Sequence, residues 1–189
     1  MVTGVEIKGH VVHLEGVLSP RRFSHSLRVA RTAVRMARRY GVSPSRAWMA
    51  GLYHDYCREW PPEELIALAR HQGRDLSSRE EKNPLLLHGW AAAQVLEDAG
   101  RICDPEVLRA VTYHVEGASS LEPLGQIIFA ADYLEPGRPF HFRDETNLYL
   151  SKTLDGLYEW VDQSLRAYYK ENGAIEKLTD FESASSLQE

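Results

Sequence analysis

The sequence predicts an all-α fold, a bundle of helices in a single domain, on three observations. Ser19-Pro20, Ser43-Pro44 and Asp104-Pro105 each set a capping side chain directly before a proline, the arrangement favoured at a helix start. In the stretches that follow, apolar residues recur at intervals of three and four. No internal repeat or linker divides the 189 residues, a length that suits one domain with a substantial core.

Residues 1–18 stand apart: rich in Val and Gly, they read as an N-terminal extension, a short hairpin or a loose segment. The domain proper is read as residues 19–173. Its first helix begins at Ser19-Pro20, runs to about Tyr40 and stops at Gly41, with apolar positions at 23, 27, 30, 34, 37 and at 29, 33, 36, 40. His25 lies one turn before Val29, at the head of the second stripe, so it is expected to point inward. Ser43-Pro44 opens a second helix carrying Ala47, Ala50, Gly51 and His54. A glycine inside a helix costs about 1 kcal/mol relative to alanine. Small residues there let a neighbouring backbone come close, and the first helix is the expected neighbour.

Pro61-Pro62 ends that segment and starts a third helix, which stops at Gly73. Residues 74–84 read as a polar loop. A fourth helix, about 85–99, has His88 in its first turn and Gly100 beyond its end. A fifth runs from Asp104-Pro105 to His114. A sixth, about 121–135, contains Asp132 and is broken by Pro136-Gly137. A loop then leads to a last long helix, about 145–171, closed by Asn172-Gly173. The tail, 174–189, is acidic and serine-rich and is expected to fray.

Composition narrows the function classes. Hydrophobic residues at 43% and charged residues at 26% are ordinary for a soluble globular chain. A net charge of -5 argues against a nucleic-acid partner. A polyphosphate would then need local positive charge from metal and a few arginines. Cys57 and Cys103 have neither metal-finger nor redox spacing. No run approaches the ~18 apolar residues of a membrane span, and no signal-peptide profile opens the chain. A reduced, cytoplasmic setting without a membrane partner is expected.

The chemistry is carried by His54-Asp55, at the end of the apolar run from Ala47 to Tyr53. The pair alone is a weak signal. It gains weight from His25 before it and His88, His114 and Asp132 after it. Neutral imidazole with carboxylate is the ligand set of Fe, Mn and Zn. Four histidines and two aspartates suffice for one ion with open positions, or for two ions sharing a bridging carboxylate. Asp132 follows Ile128 by four residues on one helix face, where a carboxylate is costly unless hydrogen-bonded, paired or metal-bound. Capping another helix, or pairing with an arginine, is the competing reading. His54 and Asp55 are about 100° apart on a helix, so both reach one ion only near a helix end. His88 and His114 are individually ambiguous, since a lone helix histidine is more often a surface or core residue. His10, His13, His71 and His141 show no ligand pattern, and His71 is explained by its place near a helix C-terminus. The set reads as a metallohydrolase acting on phosphate esters or anhydrides.

The ordered residues resemble the H…HD…D pattern of the HD superfamily of metal-dependent phosphohydrolases. More specifically they are similar to the YqeK family, the symmetrical diadenosine tetraphosphate (Ap4A) hydrolases. The resemblance rests on RRFSHSLRVARTAVRMARRYGV, AGLYHDYCRE, LLLHGWAAAQVL, RAVTYH and IIFAADYLEPGR, spanning residues 21 to 138. The last of these is the most discriminating. Departures are Cys57-Arg58 where the family has Ala-Lys, Val115-Glu116-Gly117 after His114, and the first 18 residues.

The resemblance implies an HD-domain helical bundle in which His25, His54, Asp55 and Asp132 hold one metal. Asp55 would bridge to a second ion at His88 and His114. It implies metal-activated water as nucleophile, with Asp55 and Arg58 in the catalytic group, and two ADP as products. The cofactor is one or two divalent ions, iron first, with Mn or Co as alternatives; two cations ~3.5–4 Å apart suit such chemistry. Two other readings stay open: a nucleotidase acting on nucleoside monophosphates, and a nucleotide-binding HD sensor without turnover. For the small-molecule nucleotide substrate, Arg28, Arg58 and Arg138 are the candidate contacts because each neighbours a ligand in sequence. Arg138 could clamp a phosphate bidentately. Glu135 joins this group, either orienting a ligand or pairing with an arginine. Tyr56, Tyr133, Phe140 and Phe142 are the aromatic candidates for an adenine, with core packing as the competing role. A homodimer is left open, because an apolar helix face packs equally well in a dimer or in the domain's own core.

Overall fold

The three helix starts marked by Ser-Pro or Asp-Pro are each closed by the capping side chain. Ser19 accepts from the backbone N–H of Arg22 at 3.2 Å, Ser43 from that of Arg46 at 3.4 Å, and Asp104 from that of Glu106 at 3.0 Å. Gly41 turns into the left-handed region, φ 74°, and its N–H returns to the Ala37 carbonyl, ending the helix there. The structure, a computed structural model, describes residues 4–118, 120–138 and 145–171. In chain order these form α1 (Gly4–Val17), α2 (Pro20–Tyr40), α3 (Pro44–Tyr53), α4 (Pro62–His71), α5 (Ser78–Lys82), α6 (His88–Asp98), α7 (Pro105–Tyr113), α8 (Pro123–Leu134) and α9 (Leu154–Glu171), with 3₁₀ turns at Pro84–Leu87 and Glu145–Leu150. No strand occurs among the described residues, and no helix among them is long and apolar enough to cross a membrane.

Four expectations are corrected. The segment before residue 19 is neither a hairpin nor a loose extension but helix α1. Val11, Leu14 and Leu18 recur at three and four residues; Leu14 and Leu18 are buried and Val11 packs against the core. Full burial of one such side chain contributes about 1.5–3 kcal/mol. His10 and His13 add hydrogen bonds to the hydroxyls of Tyr53 (2.8 Å) and Tyr56 (3.1 Å). The stretch 74–84 contains α5, because Ser77 and Glu80 close a reciprocal capping box. The last helix begins at Leu154 rather than near 145. The fourth, α6, starts at His88, three residues later than expected, because Pro84–Leu87 is wound as 3₁₀. Asn172-Gly173 and the tail lie outside the described residues, as do His141, Phe140 and Phe142.

α2 lies at the centre, against α3 and α8, while α7 packs on α6 and α8, and α8 also carries α9. Two glycines make the closest crossings possible. A β-carbon on Gly51 would sit 2.8 Å from Ala30 Cα of α2, and one on Gly89 would sit 2.8 Å from the Val111 and Thr112 carbonyl oxygens of α7. Backbone therefore meets backbone at α2/α3 and at α6/α7. Both contacts fall within three residues of a histidine, His54 and His88, and draw the helices' polar ends together.

Candidate metal centre

Four imidazoles converge between these helices, each held from behind. The Nδ1–H groups of His54, His88 and His114 donate to the carbonyls three residues earlier, of Gly51 (2.8 Å), Leu85 (2.5 Å) and Val111 (2.7 Å). Each of these histidines sits where a helix ends or a 3₁₀ turn passes into one, so that carbonyl is available. His25, inside α2, donates from Nδ1 to the Glu135 carboxylate at 3.0 Å. A carbonyl accepts only, so the proton stands on Nδ1 and the Nε2 lone pair faces the centre. There the His25 and His54 Nε2 atoms are 3.3 Å apart, and those of His88 and His114 are 3.1 Å apart. Lone pairs facing at that distance repel unless a cation or a proton lies between them.

Asp55 lies between the two pairs. Its Oδ2 is 3.3 Å from His54 and 3.5 Å from His25, while its Oδ1 is 3.1 Å from His88 and 3.7 Å from His114. Two donor groups able to hold a metal result, His25/His54/Asp55 and Asp55/His88/His114, with Asp55 in both. Asp132 adds an oxygen 2.9 Å from His25 and 3.8 Å from His54. The donor chemistry, neutral Nε2 nitrogens around carboxylates, fits a divalent ion. Burial by itself would raise the Asp55 carboxyl, but the imidazoles packed around it, His54 first and then His114 and His88, hold it well below the usual range. Asp132 is also held well below, chiefly by Arg138 against the opposing effect of burial. His88 is lowered, mainly by burial, which favours the neutral, ligating form.

The EPGR stretch supports His25. Glu135, 1% exposed, accepts from His25, from Arg28 Nε at 2.5 Å and from the Gly137 N–H at 2.6 Å. These donors outweigh burial and bring its carboxyl down to about 2. A β-carbon on Gly137 would collide with the Arg28 guanidinium. Gly137→Ala is expected to displace Arg28 from Glu135 and to lower turnover by about 10-fold, the lower end for losing an outer partner of a metal-ligating histidine. Steady-state kinetics beside a melting curve would check it; unchanged turnover would refute it.

A folded pKa below the unfolded one means that Glu135 stabilises above its ordinary value of 4.5 and loses this as pH falls toward 2. The stability gap between wild type and Glu135→Gln, read by urea unfolding with chelator present, is therefore expected to close over that range. A constant gap would contradict it.

The six expected ligand positions are thus brought into one cluster, of which Asp55, His88, His114 and Asp132 line a cavity of about 270 Å³. Arg58 and Arg138 line this cavity, and Arg138 pairs with Asp132. Arg28 and Glu135 do not line it; Arg28 is bonded to Glu135, which in turn accepts from His25. Arg22, one turn before His25 but not among the preferred substrate contacts, donates to Asp55 Oδ2 at 2.5 Å and lines the cavity. Its signal was available: it precedes His25 by three residues, on the same face of α2. Of the departures noted in the sequence, Val115 and Glu116 also line the cavity, and Glu116 pairs with Arg79 at 2.7 Å.

A helical bundle with a buried His/Asp cluster under an arginine-flanked cavity defines a metallohydrolase-type centre. The chain belongs to the HD domain family, whose model matches residues 22–137. The symmetrical bis(5'-nucleosyl)-tetraphosphatase of Staphylococcus aureus (strain NCTC 8325 / PS 47) is 37% identical over 123 residues, 64% of this chain and 62% of that protein. Its namesake from Bacillus subtilis (strain 168) is 30% identical over 128 residues, 68% of each chain. The chain thus spans about two thirds of the length of these relatives. A crystal structure from Clostridium acetobutylicum, of a predicted HD superfamily hydrolase involved in NAD metabolism, superposes with a TM-score of 0.81 at 28% identity, covering 95% of this chain and 97% of the other.

Proposed function

We propose that this chain is a divalent-metal-dependent hydrolase that cleaves diadenosine tetraphosphate at its central anhydride, Ap4A and water giving two ADP. The observation that carries the reading is Asp55, whose two oxygens each address a different pair of Nε2 nitrogens. His25, His54, Asp55 and Asp132 hold one ion, and Asp55, His88 and His114 the second, with iron the first choice and Mn or Co able to replace it. Such ions supply Lewis acidity and make water a nucleophile near neutral pH.

The protein's part is to position and neutralise. Arg22, Arg58 and Arg138 surround the cluster where a polyphosphate's oxygens would lie, and guanidinium suits them through paired N–H donors. Arg58, three residues past Asp55, takes the leaving diphosphate. Arg28 and Glu135 fix the His25 ring. The Cys57 thiol, fully buried and pushed up to about 12 by that burial, is no nucleophile. Cys57 and Cys103 are both free, which suits a reducing cytoplasm.

The test is anion-exchange analysis of products after incubating iron- or manganese-loaded protein with Ap4A. ADP as sole product is the expected result. ATP with AMP, or intact substrate with metal confirmed bound, would overturn the proposal.

A further inference from the structure

The cavity has two chemically different sides. Its floor is the His/Asp cluster with Arg22, Arg58 and Arg138, groups that suit phosphate and metal but offer a base nothing selective. Another part of the lining comes from α9, outside the residues 22–137 that match the HD model: Leu165, Tyr168 and Tyr169, together with the paired Asp162 and Arg166. Leu157, Val161, Leu165 and Tyr168-Tyr169 fall on one stripe of that helix by their spacing of three and four. The first half of the stripe is covered by the bundle, with Leu157 and Val161 fully buried. The second half meets the cavity: Leu165 and Tyr169 are half-buried, and Tyr168 is 40% exposed at the rim.

We propose that Leu165, Tyr168 and Tyr169 form a nucleobase subsite, which holds the purine of one nucleoside diphosphate half while its phosphates reach the floor. The inference rests on the nucleotide substrate of the preceding reading. Flat aromatic side chains beside a charged floor match an adenosine phosphate, which is itself a flat apolar ring tethered to anionic oxygens. Both tyrosines share one cavity lining with Asp55, His88, His114 and Asp132. The Tyr169 hydroxyl, raised first by burial, also feels the charges of Asp132, Arg138 and Arg58. At about 270 Å³ the cavity lies just below the ~300–1,000 Å³ range of ligand pockets, which suits one half of a dinucleotide and leaves the other across the rim. Of the aromatic residues that the sequence suggested for this task, Tyr56 is held by His13 and does not line the cavity. Tyr133 does line it, but is only 8% exposed and packs edge-on to Trp160.

The experiment compares ADP with pyrophosphate, two ligands that share a diphosphate and differ in the nucleoside. Calorimetric titration of manganese-loaded wild type, Tyr168→Ala, Tyr169→Ala and the bulk-preserving Tyr168→Leu and Tyr169→Phe would be run beside thermal melts. Each alanine variant is expected to weaken ADP by about 10-fold, the scale of one lost base–aromatic stack, and to leave pyrophosphate unchanged. Tyr169→Phe is expected to retain wild-type affinity. Equal weakening of both ligands, no change in either, or no ADP binding by wild type would overturn the subsite. ADP binding that depends on these tyrosines, in a protein that leaves Ap4A intact, would support the subsite while removing the proposed reaction.

Discussion

Asp55→Ala is expected to abolish metal uptake and to lower turnover of Ap4A by at least about 10³-fold, equal to about 4 kcal/mol of transition-state stabilisation. The size follows from its position rather than from its charge alone. One carboxylate, 3% exposed, serves both imidazole pairs, Oδ2 toward His25 and His54 and Oδ1 toward His88 and His114. Its removal strips an anion from both donor groups and also leaves Arg22 without its 2.5 Å partner. Metal content by elemental analysis, turnover and a far-ultraviolet spectrum on the same preparation would check it. A variant that keeps its metal and its turnover would end the assignment of the cluster.

Gly51→Val is expected to be the most damaging substitution for stability. A β-carbon there lies 2.8 Å from Ala30 Cα, 3.0 Å from Ala30 N and 3.3 Å from the Val29 carbonyl carbon, all main chain of α2. A flexible side chain could give way; a helix backbone cannot unless α2 and α3 part. Overpacking of this kind costs about 3 kcal/mol, which for a chain of this size lowers the melting temperature by about 6–12 °C. The Gly51 carbonyl also orients His54, so the folded fraction is expected to bind metal less well. Gly16→Ala serves as control: nothing lies within 4 Å of the new methyl, and helix propensity favours alanine. An equal loss at both positions, read by thermal denaturation, would refute the close-crossing argument.

These two residues differ in how far a linear reading could reach them. His54-Asp55 stands out in the sequence because a polar pair ends an apolar run. Gly51 is visible as a small residue in a helix, and the neighbour expected for it, the first helix, is the one found. The two polar residues that organise the cluster from its edges were harder to read. Arg22 shares a face of α2 with His25, but its partner Asp55 is 33 residues away, so the contact itself is not written in any local stretch. Glu135 is bonded to His25 across 110 residues, a pairing that exists only once α8 lies against α2.

The sequence by itself determined the helical class, the starts of α2, α3 and α7 and the stop of α2, because Ser-Pro and Asp-Pro caps and a glycine stop act through bonds only a few residues long. It also determined which residue types were available for metal chemistry. Tertiary structure decided the rest. α1 is a helix, despite Gly9 and Gly16, because Leu14 and Leu18 find a core and His10 and His13 find tyrosines 43 residues later. The orientation of Asp55 between two histidine pairs, and the turning of the α9 stripe from core to cavity, depend on how whole helices pack. Capping is a local bond and leaves a local pattern. Convergence of side chains from α2, α3, α6, α7 and α8 depends on crossing geometry, which no short stretch of the chain contains.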